Sequence, residues 1–366
     1  MPVKRYPVIV VDENLNSPVT EKDPAAPAME GNARVDDRAR LQRLLSKQLR
    51  NCTVLFARTL AEEDADVVHD LRVCTRRLQQ ILFTLAPQKD LNKARSVRRT
   101  LRRVRRALGE WRNCDVALQW VRRAERRSSK PERKNGWKLV RERISTEREQ
   151  AIQSARRKLY KAGGITLNHR IQQLLALPPD RLGTMDPPGV VRGAIASAAA
   201  QWHAALGRAK EDRSVRNIHA LRIQTKRLRY RVELARDLGS AEAPTLIKWF
   251  KLLQDRLGHW HDRQELNHFI ARALADCDVL VAEPRVAVEL LREIEKDNRI
   301  SSREVEELLR LATESEGARF LDSWVESYCS ISVDAAGADP LAPDQPIADP
   351  ASEQPQSTQS DGEVRN

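Results

Sequence analysis

Aromatic residues are scarce in this chain, at 4% of 366 residues, and no convincing run of alternating polar and apolar residues is present. Strands are usually rich in aromatic and β-branched side chains at a period of two, so these absences argue against a sheet. The abundant residues are Leu, Ala, Arg and Glu, which favour helices. The composition therefore predicts an all-α protein, built as one large domain or as two similar halves.

Cysteine is also sparse, with five widely separated residues and no pair at the Cys-x-x-Cys spacing. An odd, scattered set argues against a disulfide framework or a structural zinc site and favours a reducing compartment. No run approaches the roughly 20 apolar residues of a membrane span, and the apolar run at 8–11 is too short for a signal peptide. We therefore expect a soluble cytoplasmic protein that does not contact a membrane.

Acidic residues are concentrated at the two ends of the chain. The formal net charge is +13, but residues 1–37 carry −3 and residues 331–366 carry −6, which leaves +22 for the central part. Such a positive charge repels itself, and it suits either a polyanionic partner or a generally solvated, Arg-rich surface. Composition alone leaves both interpretations open.

Hydrophobic periodicity is lost at both ends of the chain. Residues 1–37 and 331–366 are predicted to be mostly disordered, the second as an acidic tail. Between them the sequence predicts a helical domain over 38–330. Proline pairs divide this domain into a first half, a connector and a second half, at about 38–163, 164–188 and 189–330.

Glycine positions predict where several helices end. A long charged helix from about 138 to 160 should be broken at Gly163. In the second half we expect a helix over 215–237, followed by one from about 245 to 257 that ends before Gly258.

One stretch of sequence occurs twice, 150 residues apart. Residues 67–80 read VVHDLRVCTRRLQQ, and residues 217–230 read NIHALRIQTKRLRY. The likeness continues at an offset of 149, where LGEWRNCD at 108–115 resembles LGHWHDRQ at 257–264. This repetition predicts two antiparallel four-helix bundles in one domain, related by a pseudo-twofold axis.

Each copy of the repeated helix has an apolar face and a basic face. At about 100° per residue, the apolar face collects Val68, Leu71, Thr75, Leu78, Leu82 and Leu85, and in the second copy Ile218, Leu221, Thr225, Leu228, Val232 and Ala235. The basic face collects His69, Arg72, Arg76 and Gln79, and in the second copy His219, Arg222, Lys226 and Arg229. Apolar Val73 and Ile223 lie on the far side of the basic row. The row is therefore predicted to line a central basic cleft.

A row of cations in a groove favours a phosphate polymer as the ligand. Neighbouring like charges on a helix repel by a few tenths of a kcal/mol per pair, and the row itself contains no carboxylate. Arg offers paired donors to a phosphate, Lys a compact charge, and His one or two donors. The candidate groove is therefore predicted to contain no carboxylate.

At these residues the chain resembles the CHAD family, the conserved histidine α-helical domain. The family is marked by two copies of a His-x-x-Arg-x-x-x-(Lys/Arg)-(Lys/Arg)-Leu-(Arg) helix. Each is followed by a helix ending in Leu-Gly and by a nearby Arg/His–Asp-like pair. Here the pairs are Arg112-Asn113 and His261-Asp262, and the resemblance covers 38–330.

The resemblance implies a double four-helix bundle that binds inorganic polyphosphate along a central basic cleft and often accompanies polyphosphate granules. Granule proteins would then be partners. The matching groove positions are His69, Arg72, Arg76, His219, Arg222, Lys226 and Arg229, and the following helices would contribute Arg99, Arg102, Lys248 and Lys251. Gln79 and Asn113 depart from the basic and acidic residues that are usual there. The first half is therefore expected to bind less strongly at that end.

Nucleic acid is the main alternative ligand, because it shares the phosphate backbone. Single-strand binders usually add aromatic platforms, and only Tyr230 accompanies the basic rows. Trp111 and Trp260 match across the repeat and are interpreted as packing residues, so nucleic-acid binding is expected to be non-specific. The basic stretch 95–158 is either a solvated helical face or an extension of the polyanion path.

Three alternatives remain: metal binding, catalysis, and a structural scaffold that uses the acidic tail as an interaction arm. Metal sites combine His with carboxylates or thiolates, whereas the helical neighbours of His69 and His219 are cations, and a structural role for these histidines stays open. His259-x-His261 is closer to a ligand spacing but is interpreted as an exposed polar loop. No nucleophile–base pair or paired carboxylates stand out. We expect no metal, no cofactor and no enzymatic activity, with a metal-dependent polyphosphate hydrolase as the weaker alternative.

Overall fold

The computed structural model describes residues 30–86, 92–177, 186–275 and 281–330. Within these ranges the chain forms eleven helices and no strand, which confirms the all-α prediction. The first six are α1 Glu30–Ala61, α2 Ala65–Leu85, α3 Asn92–Ala107, α4 Gly109–Arg127, α5 Pro131–Ala162 and α6 Gly164–Leu175. The other five are α7 Pro187–Glu211, α8 Val215–Asp237, α9 Ala243–Leu274, α10 Pro284–Glu314 and α11 Glu316–Ser330.

The predicted disordered ends are only partly open to comparison. Residues 1–29 and 331–366 lie outside the described residues. Helix α1 begins at Glu30, so the last residues of the segment predicted to be mostly disordered are helical. Among the described helices, none combines the length and the apolar character needed to cross a membrane.

The helices of the two halves follow the same order. In sequence, α1, α2, α3 with α4, and α5 correspond to α7, α8, α9 and α10, and consecutive members of each set pack together. The prediction that a helix ends at Leu257 is wrong, since α9 runs unbroken through Gly258. Leu257 and Trp260 on either side are buried, at 1% and 4% exposure, and their packing holds the glycine in the helix. The pseudo-twofold relation stays a prediction.

The repeated helices α2 and α8 bury the predicted apolar face. All twelve residues of that face are at most 2% exposed. Asp64 caps α2, because its side chain accepts hydrogen bonds from the backbone N–H groups of Asp66 and Val67. Helix α8 spans the predicted 215–237 and is followed by Gly239 at a φ of 102°, which favours glycine. With one face buried in this way, the orientation of the basic face is set.

The apolar core crosses the boundary between the halves. One cluster packs side chains of α1, α2 and α3 together with those of α7, α8 and α9. A second cluster joins α4 and α5 to α9 and α10 through residues such as Val121, Trp137, Ile270 and Leu290. We call these four packed segments the distal bundle. Each half therefore contributes two helices to a bundle that neither half completes alone.

The connector between the halves begins as a helix. Helix α5 ends at Gly163, which has a φ of 63°, and α6 follows at once. Leu167, Ile171 and Leu174 of α6 are buried against the core of the first half. The first part of the predicted connector is therefore a core element, and residues 178–185 lie outside the described ranges.

Candidate functional site

The two basic rows meet where α2 packs against α8. Arg76 Nη1 donates a hydrogen bond of 2.8 Å to the hydroxyl oxygen of Tyr230, and its guanidinium lies 5.2 Å from the centre of that ring. The guanidinium of Arg229 lies over the same ring at 4.6 Å. Tyr230 therefore joins a cation of the first half to a cation of the second half.

Arg72 is fixed by the end of helix α3. Its Nη1 donates a 2.7 Å hydrogen bond to the carbonyl oxygen of Arg105, in the last turn of that helix. Carbonyl groups at a helix C-terminus carry partial negative charge and favour a cation there. The contact places Arg72 beside Gly109, where a Cβ would lie 3.6 Å from Arg72 Nη1.

The side chain of Arg105 enters the same site. Burial, followed by the charges of Arg76, Arg72 and Arg102, lowers the pKa of Arg105 to about 9. Its Nη1 is buried without a hydrogen-bond partner among the described residues, and Nη1 of Arg112 is in the same situation. Arg105 therefore remains charged at pH 7 and forms no ion pair with the residues that the structure describes.

Lys226 shows that the two halves form one electrostatic unit. Burial, followed by the charges of Arg222, Arg76 and Arg72, holds the pKa of Lys226 well below its usual range. Two of these three cations belong to α2, on the opposite half. We call the cations of α2, α3, α4 and α8 that act on one another here the basic cluster: Arg72, Arg76, Arg102, Arg105, Arg112, Arg222 and Lys226.

Two histidines of the site, His69 and His261, have lowered pKa values. Burial and the charges of Arg222 and Lys226 lower the pKa of His261 to about 2, and its ring lies 5.7 Å from that of His219. Partial burial and the charge of Arg112 lower the pKa of His69 from 6.5. His261 is on the continuous helix α9, so the interpretation of its surroundings as an exposed loop is wrong.

Carboxylates are present at two places beside the cations. Asp262 interacts with Arg222, Arg112 and Lys226, while its burial raises its pKa. Glu233 forms a 2.8 Å ion pair with Arg229 and approaches Arg77 of the first half at 3.8 Å. The expectation of a groove without acids is therefore wrong. The cation missing at Gln79 corresponds in the second half to an arginine that Glu233 already neutralises.

The structure connects most of the predicted binding residues. Contacts or electrostatic interactions link eight of them, His69, Arg72, Arg76, Arg102, His219, Arg222, Lys226 and Arg229. Arg99, Lys248 and Lys251 are exposed, and no contact among the described residues joins them to the basic cluster. Their assignment to the site stays a prediction.

Sequence reasoning did not select several residues of the site. The repeat gives no signal for Arg105, because it aligns with Gln254 at the offset of 149, although Arg105 lies one turn after Arg102 on α3. Arg112 and His261 were visible as the matched pairs that follow Leu-Gly, without a role attached to them. The packing residues were predicted correctly, because Trp111 and Trp260 are 0% and 4% exposed.

The donor set around the histidines does not resemble a metal centre. Within the ranges that the structure describes, no group of three His, Cys, Asp or Glu side chains is placed to hold a metal ion. The charged neighbours of the His219–His261 pair are mainly Arg222 and Lys226, which would repel a cation.

Several solved structures resemble this chain, and two of them are described. PptA from Streptomyces chartreusis is 16% identical, with 77% of this chain and 98% of that chain covered at a TM-score of 0.54. A CHAD domain from the plant Ricinus communis is 18% identical, with 81% and 92% covered at a TM-score of 0.47. At such identities the likeness concerns the fold. No curated protein matches this chain.

The family is established by a match along the sequence. The model of the CHAD domain matches residues 43–271, which is more than half of the chain. The matched range contains both copies of the repeated helix and every member of the basic cluster. This chain belongs to the CHAD family.

Proposed function

We propose that this protein binds inorganic polyphosphate in the basic cluster between α2 and α8. The observation that carries the proposal is the mutual effect of cations from both halves. Burial and, after it, the charges of Arg222 on one side and of Arg76 and Arg72 on the other depress the pKa of Lys226. Groups shifted in this way by burial and by specific neighbours are typical of functional sites.

A polyanion would remove the repulsion within the basic cluster. Cations that are partly buried together raise the free energy of the unliganded protein, because burial strengthens each repulsive interaction. Arg105 and Arg112 each have a buried Nη1 that finds no hydrogen-bond partner in the described part of the chain, and charge-assisted hydrogen bonds to phosphate oxygens would satisfy both. The ligand class that the cluster fits is therefore one with closely repeated negative charge.

The aromatic residues near the cluster favour polyphosphate over a single-stranded nucleic acid. Tyr230 is 5% exposed and engaged by Arg76 and Arg229, so its ring offers no face to a base. Trp111 and Trp260 are buried in the core. Single-strand binders depend on accessible rings for stacking, whereas a phosphate polymer without bases needs only the cations.

We further propose that binding is not accompanied by hydrolysis and that the protein associates with polyphosphate granules in the cytoplasm. Metal-assisted hydrolysis uses carboxylates to hold the ion. Asp262, a carboxylate beside the cluster, interacts with the cations Arg222, Arg112 and Lys226. Release of orthophosphate from long polymer in the presence of magnesium or manganese would contradict the non-catalytic assignment.

The deciding experiment is competition for the protein between long polyphosphate, short oligophosphates and single-stranded RNA at about 0.15 M salt. We expect polyphosphate to displace RNA, with log affinity falling against log salt by roughly 0.7 per phosphate contacted. Equal affinity for RNA would contradict the proposed ligand. Co-sedimentation of the protein with isolated granules tests the association.

A cleft variant locates the binding site. It carries Gln at Arg76, Arg105, Arg222 and Lys226. The matched control removes four exposed charges that form no ion pair among the described residues, with Gln at Arg157, Arg208, Arg310 and Arg319. We expect at least about a hundredfold weaker binding by the cleft variant alone, since each charged hydrogen bond lost costs about 1.5–3 kcal/mol. Similar losses of affinity in both variants would show that binding depends on the net charge of the protein and not on the residues of the basic cluster.

A further inference from the structure

A second concentration of cations lies at the turn between α4 and α5. The end of α4 and the beginning of α5 carry six exposed basic residues, Arg122, Arg123, Arg126, Arg127, Lys134 and Lys138. We call them the hairpin-tip patch. Within the part of the chain that the structure describes, none of the six forms an ion pair, although Arg122 acts weakly on Asp115.

Packing of the distal bundle fixes the direction of this patch. Helix α4 buries Leu118 and Val121 in the distal bundle, so the arginines that follow face outward. Arg122 and Arg126, like Arg123 and Arg127, are four residues apart and lie one above the other on the helix. Glu125 pairs with Arg141 of α5 at 3.5 Å, so the end of α4 and the first turns of α5 that carry the patch lie side by side.

Two carboxylates of α10 at this end of the molecule are already paired with other cations. Glu289 of α10 pairs with Lys130 at 3.2 Å, with Arg133 at 3.0 Å and with Arg292 at 2.6 Å. Glu293 pairs with Arg133 and Lys296. The patch therefore keeps its positive charge, although like charges four residues apart destabilise a helix.

The patch belongs to the first half alone. At the offset of 149, Arg122 aligns with Ala271 and Arg126 with Ala275. Arg123 aligns with Arg272, whose charge is taken up by Glu147 at 2.9 Å. The fold is therefore built in the second half without the patch, and packing does not account for it.

The patch is separate from the basic cluster. Arg112 at the start of α4 belongs to the cluster, and Arg127 ends the same helix. At a rise of 1.5 Å per residue, Arg112 lies about 22 Å along α4 from Arg127 and about 15 Å from Arg122, the patch residue closest to it in sequence. A ligand segment held by α2 and α8 therefore leaves the patch open to another segment.

We propose that the hairpin-tip patch binds a second chain of inorganic polyphosphate, so that one protein molecule bridges two polymer chains. This inference rests on the proposed function of the basic cluster. Exposed arginines and lysines suit phosphate oxygens, and the patch offers no ring for stacking. Trp120, two residues before Arg122, is half-buried and lies under the guanidinium of Arg263 at 5.2 Å, and Trp137 beside Lys138 is buried. Two separated sites on a rigid element favour cross-linking of the polymer.

The test is a bridging assay with the full chain. Long polyphosphate is fixed on beads, the protein is bound and washed, and fluorescent polyphosphate is added at about 0.15 M salt. A tip variant carries Gln at Arg122, Arg123, Arg126 and Arg127. The control variant with Gln at Arg157, Arg208, Arg310 and Arg319 removes the same charge from scattered positions.

We expect the affinity of the tip variant for the beads to lie within about threefold of that of the wild type, because the basic cluster is intact. The bound tip variant should capture at least about tenfold less fluorescent polymer than the bound wild type. The control should capture as much as the wild type. Undiminished capture by the tip variant would overturn the inference. Equal capture of fluorescent RNA by the wild type would overturn the assignment of the patch to polyphosphate. Failure of the wild type to bind the beads would instead contradict the proposed function.

Discussion

Arg105 shows how a residue can oppose stability and serve binding. Its side chain is desolvated among Arg72, Arg76 and Arg102, which lowers its pKa to about 9 without removing its charge at pH 7. A buried charge without an opposite partner destabilises the folded protein. The same charge, with a free Nη1 donor, is prepared for an anionic ligand.

Replacing Arg105 with Gln should therefore separate binding from stability. We expect polyphosphate affinity to fall about tenfold or more, because a charge-assisted hydrogen bond is lost. The melting temperature should stay the same or rise, since a repelled cation is removed. Arg106 is exposed on the next position of α3, and Arg106→Gln should change neither quantity appreciably. Titration calorimetry and differential scanning calorimetry measure the two effects, and a lower melting temperature for Arg105→Gln would contradict this account.

His261 should make the protein sensitive to acid. Its pKa is about 2 in the folded protein, against 6.5 for an ordinary histidine. Below pH 6.5 the unfolded chain binds a proton there and the folded protein does not, so the free energy of unfolding falls as pH falls. One such group contributes at most about 1.4 kcal/mol per pH unit. Denaturant unfolding between pH 7 and pH 5 should show that the free energy of unfolding falls more steeply with pH in the wild type than in His261→Gln. The same pH dependence in both proteins would contradict a neutral His261 in the folded state.

At the scale of the helices, glycines distinguish a tight contact from an open one. A Cβ on Gly136 in α5 would lie 3.0 Å from Leu290 Cγ and 3.3 Å from Val286 Cγ1, both in α10. Gly258 in α9 has no such neighbour within 4 Å. The distal bundle therefore depends on a close approach of α5 to α10 that only a glycine permits without rearrangement.

Alanine at these two positions should act in opposite directions. Gly136→Ala adds a methyl group to a filled contact, and we expect a loss of about 1–2 kcal/mol after the gain in helix propensity. Gly258→Ala keeps only that gain, and we expect about 0.5–1 kcal/mol of added stability. Thermal unfolding of both variants measures the difference. Stabilisation by Gly136→Ala would show that α5 and α10 are less closely packed.

Helix periodicity predicted the elements that carry the site better than it predicted the partners of each cation. The apolar and basic faces of α2 and α8 follow from residue spacing alone. Arg105 and Asp262 were not predicted, because their role depends on the packing of α3 and α9 against the repeated helices. Gly258 was misread because a glycine ends a helix only where flanking packing does not hold it.

At the scale of the whole molecule, the halves depend on each other for their cores. The distal bundle takes α4 and α5 from the first half and α9 and α10 from the second. The larger cluster likewise contains residues of both. Either half alone would leave these apolar faces in water, at a cost of about 25 cal/mol for each Å² exposed.

Dividing the chain between α6 and α7 tests this dependence. We expect residues 1–181 and 182–366, produced separately, to aggregate or to unfold without a cooperative transition. Produced together, they should copurify in equal amounts and bind polyphosphate. Circular dichroism melts and gel filtration provide the measurements. A separate half that unfolds cooperatively as a monomer would show that its core is complete.

The shared bundle also bears on how a chain of two similar halves can diverge. A single ancestral half could cover its apolar faces only by pairing with an identical copy, and every substitution would then appear on both sides of the site. Once joined in one polypeptide, the two sides are released from that symmetry. The uncharged Gln79 and the arginine-rich end of α4 are differences that a symmetric pair of chains could not have acquired on one side alone.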